Sequence, residues 1–211
     1  MRRIILLFVL GLSVLLATSC IELIQTVSIK DSVVTTSVRF VLQKSLFEFI
    51  STLTGEEMDY SEIADIGNEV ISDIPGVSGR IHSFENEFDV GGEVSISAPQ
   101  SQIAAIAEND WIFLPEIRGK SVLIRIPMMG DEEPDEAALA FLAGMKYRLI
   151  VSLTGDLAHI TNATVHVEEG SRSTNLSDEV SIRVNGPIMI VEIPIIYLFA
   201  TDKGLLVTTL S

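Results

Sequence analysis

The sequence predicts an α+β fold: one domain of mainly antiparallel β-hairpins, with two amphipathic helices after the first hairpin and one or two short helices later. Three observations carry that expectation. Apolar residues alternate with period two along most of the chain, and clusters of Gly, Asp, Asn and Pro punctuate the runs. Two stretches behind the first hairpin switch to helical spacing. Finally, 211 residues suffice for one sizeable core, and no repeat, low-complexity tract or Pro/Ser-rich linker divides them.

The chain before that domain has a layout of its own. Arg2 and Arg3 form a positive start, Ile4 to Leu16 an apolar stretch broken only by Gly11 and Ser13, and Ala17, Thr18 and Ser19 a run of small residues before Cys20. This is the three-part order of a secretory signal over residues 1–19. The apolar stretch is short of the roughly 20 residues that a permanent transmembrane helix needs. Cys20 is the only cysteine, so it cannot form an intramolecular disulfide. A plain cleavage site would need only a small residue there.

LLATSC (15–20) resembles a bacterial lipobox. It has Ala17 where Leu is common and Ser19 where Gly or Ala is usual, which is similar to the looser lipoboxes of spirochaetes. The resemblance implies a lipoprotein: diacylglycerol joins the Cys20 thiol, cleavage makes Cys20 the new N-terminus, and acyl chains such as palmitate anchor it. Each buried methylene contributes about 0.8 kcal/mol, so two or three chains hold where one does not. By the Gram-negative sorting analogy Ile21, which is not Asp, favours the outer membrane over the inner, with the domain in the periplasm or at the surface. The plainer alternative is an ordinary signal peptide or anchor helix with Cys20 incidental.

Ile21, Leu23, Val27 and Ile29 then share one face of a strand, with Gln25 as the exception. Lys30-Asp31-Ser32 is a turn signal. Val34, Val38, Phe40 and Leu42 follow on one face of a second strand, interrupted by Thr36. Leu42, Leu46, Phe49, Ile50 and Leu53 recur at helical spacing up to Gly55, and Ser61 can cap a second helix striped by Ile63, Ile66, Val70 and Ile74. Its other face is acidic, which suits water better than a bilayer surface.

Strands are predicted again at 80–88 and 93–98, joined by a turn at Asp89-Val90-Gly91-Gly92. Pro99 opens a short helix carrying Ile103 and Ile106 inward. A hairpin over 113–117 and 121–127 turns at Arg118-Gly119-Lys120. The loop MGDEEPDEAA leads into a short helix at 136–144. Lys146–Thr154 and Ile160–Glu168 are strands, EEGSRSTNLSDE (168–179) a polar loop, and GPIMIVEIPIIYLF (186–199) a strand covered on both faces. Pro187 then sits at its start and Pro194 at a bulge or unpaired position. The count comes to about nine strands and roughly three or four helices.

Composition bounds the function. Arg2 and Arg3 are two of 14 basic residues, so the chain from Cys20 onward carries 12 bases against 29 acids, a formal charge of −17. Such a surface repels phosphates, which argues against a nucleic-acid partner. With one tryptophan and three tyrosines, the core has to be aliphatic. His82, His159 and His166 show no zinc spacing, and His159 and His166, seven apart, would face opposite ways in one strand. The acidic run 131–136 lacks the alternation and glycine of a calcium loop and reads as solvated. No nucleophile elbow, P-loop or dinucleotide fingerprint occurs. The expectation is a protein that is not an enzyme, with no catalytic, cofactor-binding or metal residue to name.

Cys20 with the strand pair behind it, GGEVSISAPQSQIAAIAEN (91–109) and YRLIVSLTGDLAHITNATVHVEEG (147–170) together resemble LppM-like envelope lipoproteins of bacteria, such as the mycobacterial LppM-type domain. That resemblance implies an envelope α+β domain with an apolar pocket for lipid or glycolipid. Three readings stay open: a lipid-anchored binding protein with a lipid or glycolipid ligand, a structural protein docking on another envelope component, and, ranked last, a periplasmic enzyme.

Overall fold

The computed structural model describes residues 21–45, 78–103, 114–126, 142, 145–169, 172–199 and 205–210. Strands make up 69% of them, arranged in two sheets, and no helix reaches seven residues. The fold is therefore mainly β, which corrects the predicted α+β class with its two amphipathic helices. Those helices, at 42–53 and 61–74, fall largely outside the described residues, as does the one at 136–144 except for Leu142. Leu42 itself lies in a strand, paired with both neighbours.

Twelve strands follow in chain order: β1 (Ile21–Lys30), β2 (Val33–Gln43), β3 (Ser78–Glu85), β4 (Asp89–Pro99), β5 (Glu116–Arg118), β6 (Ser121–Ile126), β7 (Lys146–Leu153), β8 (Asn162–Glu169), β9 (Arg172–Asn175), β10 (Ser181–Asn185), β11 (Ile188–Pro194) and β12 (Leu205–Leu210). One sheet has seven strands in the order β10-β11-β7-β1-β2-β4-β3, the other five in the order β5-β6-β12-β8-β9. Every pairing is antiparallel except that of β1 with β7, which is parallel, Leu23 opposite Tyr147 and Ile29 opposite Leu153. Among the described residues, no helix is long and apolar enough to cross a membrane.

The alternation read from the sequence is what the sheets bury. Leu23, Val27 and Ile29 of β1 and Leu149, Val151 and Leu153 of β7 point to one side of the large sheet. Val122, Ile124 and Ile126 of β6, Val165 and Val167 of β8, and Leu205 and Val207 of β12 point to one side of the small sheet. These sides merge into a single apolar cluster, the arrangement of a β-sandwich. Tyr147 is the one aromatic among the buried described residues, in keeping with the aliphatic composition. Each Leu, Ile or Val so buried stabilises the fold by about 1.5–3 kcal/mol.

The turns explain where the elements begin. Asp31 and Ser32 join β1 to β2 with φ of 52° and 62°, the left-handed pair that a type I′ turn demands. Gly119 and Gly186 take left-handed φ in the two-residue turns before β6 and β11.

Four expectations are corrected. The turn between β3 and β4 is Asn86-Glu87-Phe88, not 89–92. The Asn86 side chain builds it, its Oδ1 accepting from the Phe88 and Asp89 amides at 2.7 and 2.8 Å. Gly91 and Gly92 lie inside β4, where a Cβ on Gly91 would stand 2.3 Å from the Phe40 carbonyl oxygen and 2.7 Å from the Phe84 ring. The polar loop 168–179 contains β9, and β10 precedes the apolar run. That run is a strand only as far as Pro194, buried at alternate residues, after which Ile195–Leu198 form a 3₁₀ turn. Pro194 ends the strand without a bulge, opposite Lys146.

Candidate functional site

Cys20, the one site residue the sequence singles out, lies outside the described residues. β1 starts at the very next position, Ile21, and it is the central strand of the large sheet. Ile21 therefore lies at the middle of one sheet end. The same end carries the β3–β4 tip, because Ile21 pairs with Leu42 and Leu42 with Val90. Phe88 at that tip is 69% exposed.

Inside the sandwich, the two residues that break the alternation of their strands meet. Gln25 and Thr36 are both fully buried, and Gln25 Nε2 donates to Thr36 Oγ1 at 3.3 Å. The register puts them diagonally across β1 and β2, since Gln25 faces Val38 and Val27 faces Thr36. From β7 the Tyr147 hydroxyl donates to Gln25 Oε1. Burial pushes the Tyr147 phenol well above its ordinary pKa, so it stays a neutral donor. The trio satisfies polar groups within an aliphatic core and ties the three central strands together. A fourth buried polar residue, Thr209 of β12, accepts from the Val122 amide at 2.8 Å.

The outer side of the large sheet is organised differently. Thr26, Ser37 and Ser95 lie in register across β1, β2 and β4, and so do Ser28, Thr35 and Ser97. Thr35 Oγ1 and Ser97 Oγ are 2.9 Å apart. Next to these rows runs an ionic one. Glu192, whose side chain is 12% exposed, accepts from Arg148 at 3.3 Å and Arg183 at 3.1 Å, and Lys146 lies 4.0 Å away. Arg148 also reaches Glu22 at 3.4 Å. Glu192 thus lies on the side of the run 186–199 that is half-buried, while Met189, Val191 and Ile193 on the other side are fully buried.

The chain matches no protein-family model, no curated protein and no solved structure.

The histidines stay apart. His82 is on the edge strand β3 and exposed, His159 precedes β8 and is exposed, and His166 within β8 lies 3.2 Å from Ser173 Oγ. His159 and His166 therefore do not share a strand, as the predicted start of that strand at Ile160 already had it, and the opposite-faces condition does not arise. Among the described residues, no three His, Cys, Asp or Glu side chains come together as a metal site, and the acidic run 131–136 lies outside them. What the described residues offer chemically is a surface: an exposed aromatic tip at the sheet end where β1 starts, and a hydroxyl and ionic sheet face. Sequence reasoning flagged Gln25 and Thr36 as exceptions without pairing them, because their pairing depends on register. It missed Phe88 altogether, although the NEFD turn residues were there to be read.

Proposed function

We propose that this chain is a cell-envelope lipoprotein, held at a membrane by acyl groups on Cys20, whose β domain works by binding and carries out no catalysis. The observation behind this reading is the place of the only cysteine, directly after a basic, apolar and small-residue leader and directly before the first strand. The outer membrane is the favoured location, since Ile21 follows the cysteine. The resemblance to LppM-like lipoproteins supports a lipid or glycolipid as ligand.

The test is intact mass spectrometry of the protein made in a lipoprotein-processing bacterium, beside Cys20→Ser, with organic extraction of bound species. Loss of residues 1–19 together with an acyl mass that vanishes in the variant is the expected result. An uncut chain or an unacylated cysteine overturns the anchor. A lipid released beyond the covalent one speaks for carriage; an empty domain turns attention to a protein partner.

Docking on another envelope component is the second reading. Val33 and Ile188, 43% and 42% exposed, favour it: both lie at the sheet end away from Ile21, where an anchored domain would meet a partner. Val33→Lys with Ile188→Lys should abolish co-purification of such a partner without changing membrane attachment.

A further inference from the structure

We infer that the β3–β4 tip, led by Phe88, dips into the same bilayer leaflet that holds Cys20 and so fixes how the domain stands on the membrane. This inference rests on the lipid anchor proposed above and adds the surface that meets the lipid. Position argues for it first. Ile21, Leu42 and Val90 form one row across β1, β2 and β4, so the tip is two strand spacings, about 10 Å, from the start of β1. β4 runs away from that end, and the Lys44 amide donates to the Phe88 carbonyl at 2.8 Å, which places Phe88 beyond the Ile21 row. With no spacer between Cys20 and β1, a lipid on Cys20 brings that end against the headgroups.

Exposure and hydrogen bonding argue for it next. Phe88 is the most exposed of the large apolar side chains described, at 69%. A segment entering an apolar medium needs its backbone polar groups satisfied within the protein. Here the Phe88 and Asp89 amides are taken by Asn86 Oδ1, the Asn86 amide by the Asp89 carbonyl and the Phe88 carbonyl by Lys44. The tip is a closed turn with a phenyl ring at its point. Its acids set the lipid it tolerates: Glu85 is paired with Lys44, but Glu87 and Asp89 flank the ring, which fits zwitterionic headgroups better than anionic ones.

The experiment uses the full, processed chain. Acylation blocks the Cys20 thiol, so Glu87→Cys, which keeps the Phe88 ring, and, separately, Lys30→Cys can each be labelled with one environment-sensitive dye. Lys30 ends β1 at the opposite end, about 30 Å from Ile21. Each protein is reconstituted in phosphatidylcholine vesicles with and without doxyl-labelled phosphatidylcholine, and its acylation is read by intact mass. The expected result is a blue-shifted dye at position 87, quenched at least twofold by the doxyl lipid, while the dye at position 30 is unmoved. An acylated protein whose position 87 is no more quenched than position 30 overturns the inference and leaves the anchor standing. A chain without acyl mass overturns the anchor and this orientation with it.

Discussion

Gln25 and Thr36 each interrupt an apolar stripe, and together with Tyr147 they show how single residues set the stability of this sandwich. Tyr147→Phe removes the hydroxyl that donates to Gln25 while keeping the ring, and is expected to cost about 1–3 kcal/mol in urea unfolding. The same residue makes a pH prediction. Unfolded tyrosine titrates near ~10, and burial raises the folded value above that. The contribution of Tyr147 is therefore whole below about pH 10 and is lost as pH rises further, by no more than about 1.4 kcal/mol per unit. Denaturation midpoints measured between neutral pH and 11 should fall more steeply in the wild type than in Tyr147→Phe. Gly91 works by being absent of side chain. Because its Cβ would strike the Phe40 carbonyl, which is backbone and cannot swing away, Gly91→Ala should cost on the order of 1–3 kcal/mol.

At the scale of elements, the β1–β2 hairpin holds a reserve of stability. Ser32 adopts a left-handed φ of 62° that glycine accepts without a Cβ penalty. Ser32→Gly should therefore raise stability by about 0.5–1 kcal/mol, read as a higher melting temperature. The hairpins were legible wherever one side is buried and the other wet, as in β1, β2 and β7, because alternation is then imposed on the residues themselves. They were not legible where that contrast fails. β9 is Arg172-Ser-Thr-Asn, an edge strand with little apolar content, so only its pairing with β8 makes it a strand. The glycine pair at 91–92 looks like a turn in sequence, yet it serves the close approach of Phe40 and Phe84 across β4. The parallel pairing of β1 with β7 was hidden for another reason: nothing local encodes which distant strand a central strand will meet. For the site, the sequence supplied Cys20 and both polar exceptions, while the exposure of Phe88 depends on where the turn falls.

For the whole molecule, the central place of β1 in the large sheet puts the residue after Cys20 in the middle of the fold. If Cys20 carries the anchor, Cys20→Ser should lose every acyl mass without altering the melting temperature of the domain, since no described core residue is touched. The small sheet makes a second whole-molecule prediction. β12 lies between β6 and β8, and Leu205, Val207 and Thr209 are buried. Deleting residues 205–211 would leave β5–β6 and β8–β9 as separate hairpins, each too small to stand alone. Circular dichroism and limited proteolysis should then report loss of the sandwich rather than a trimmed native fold.

The positions of β7 and β12 also govern the time at which folding can finish. β1 waits for a partner more than 100 residues downstream, and the two halves of the small sheet wait for β12. Loop closures of that length slow folding much more than they weaken the finished structure. A chain delivered across a membrane N-terminus first would present β1 to β4 long before either partner arrived. It would remain pliable in transit and close only when its C-terminal strand emerged. The topology thus holds back closure of the sandwich until the last strand is available.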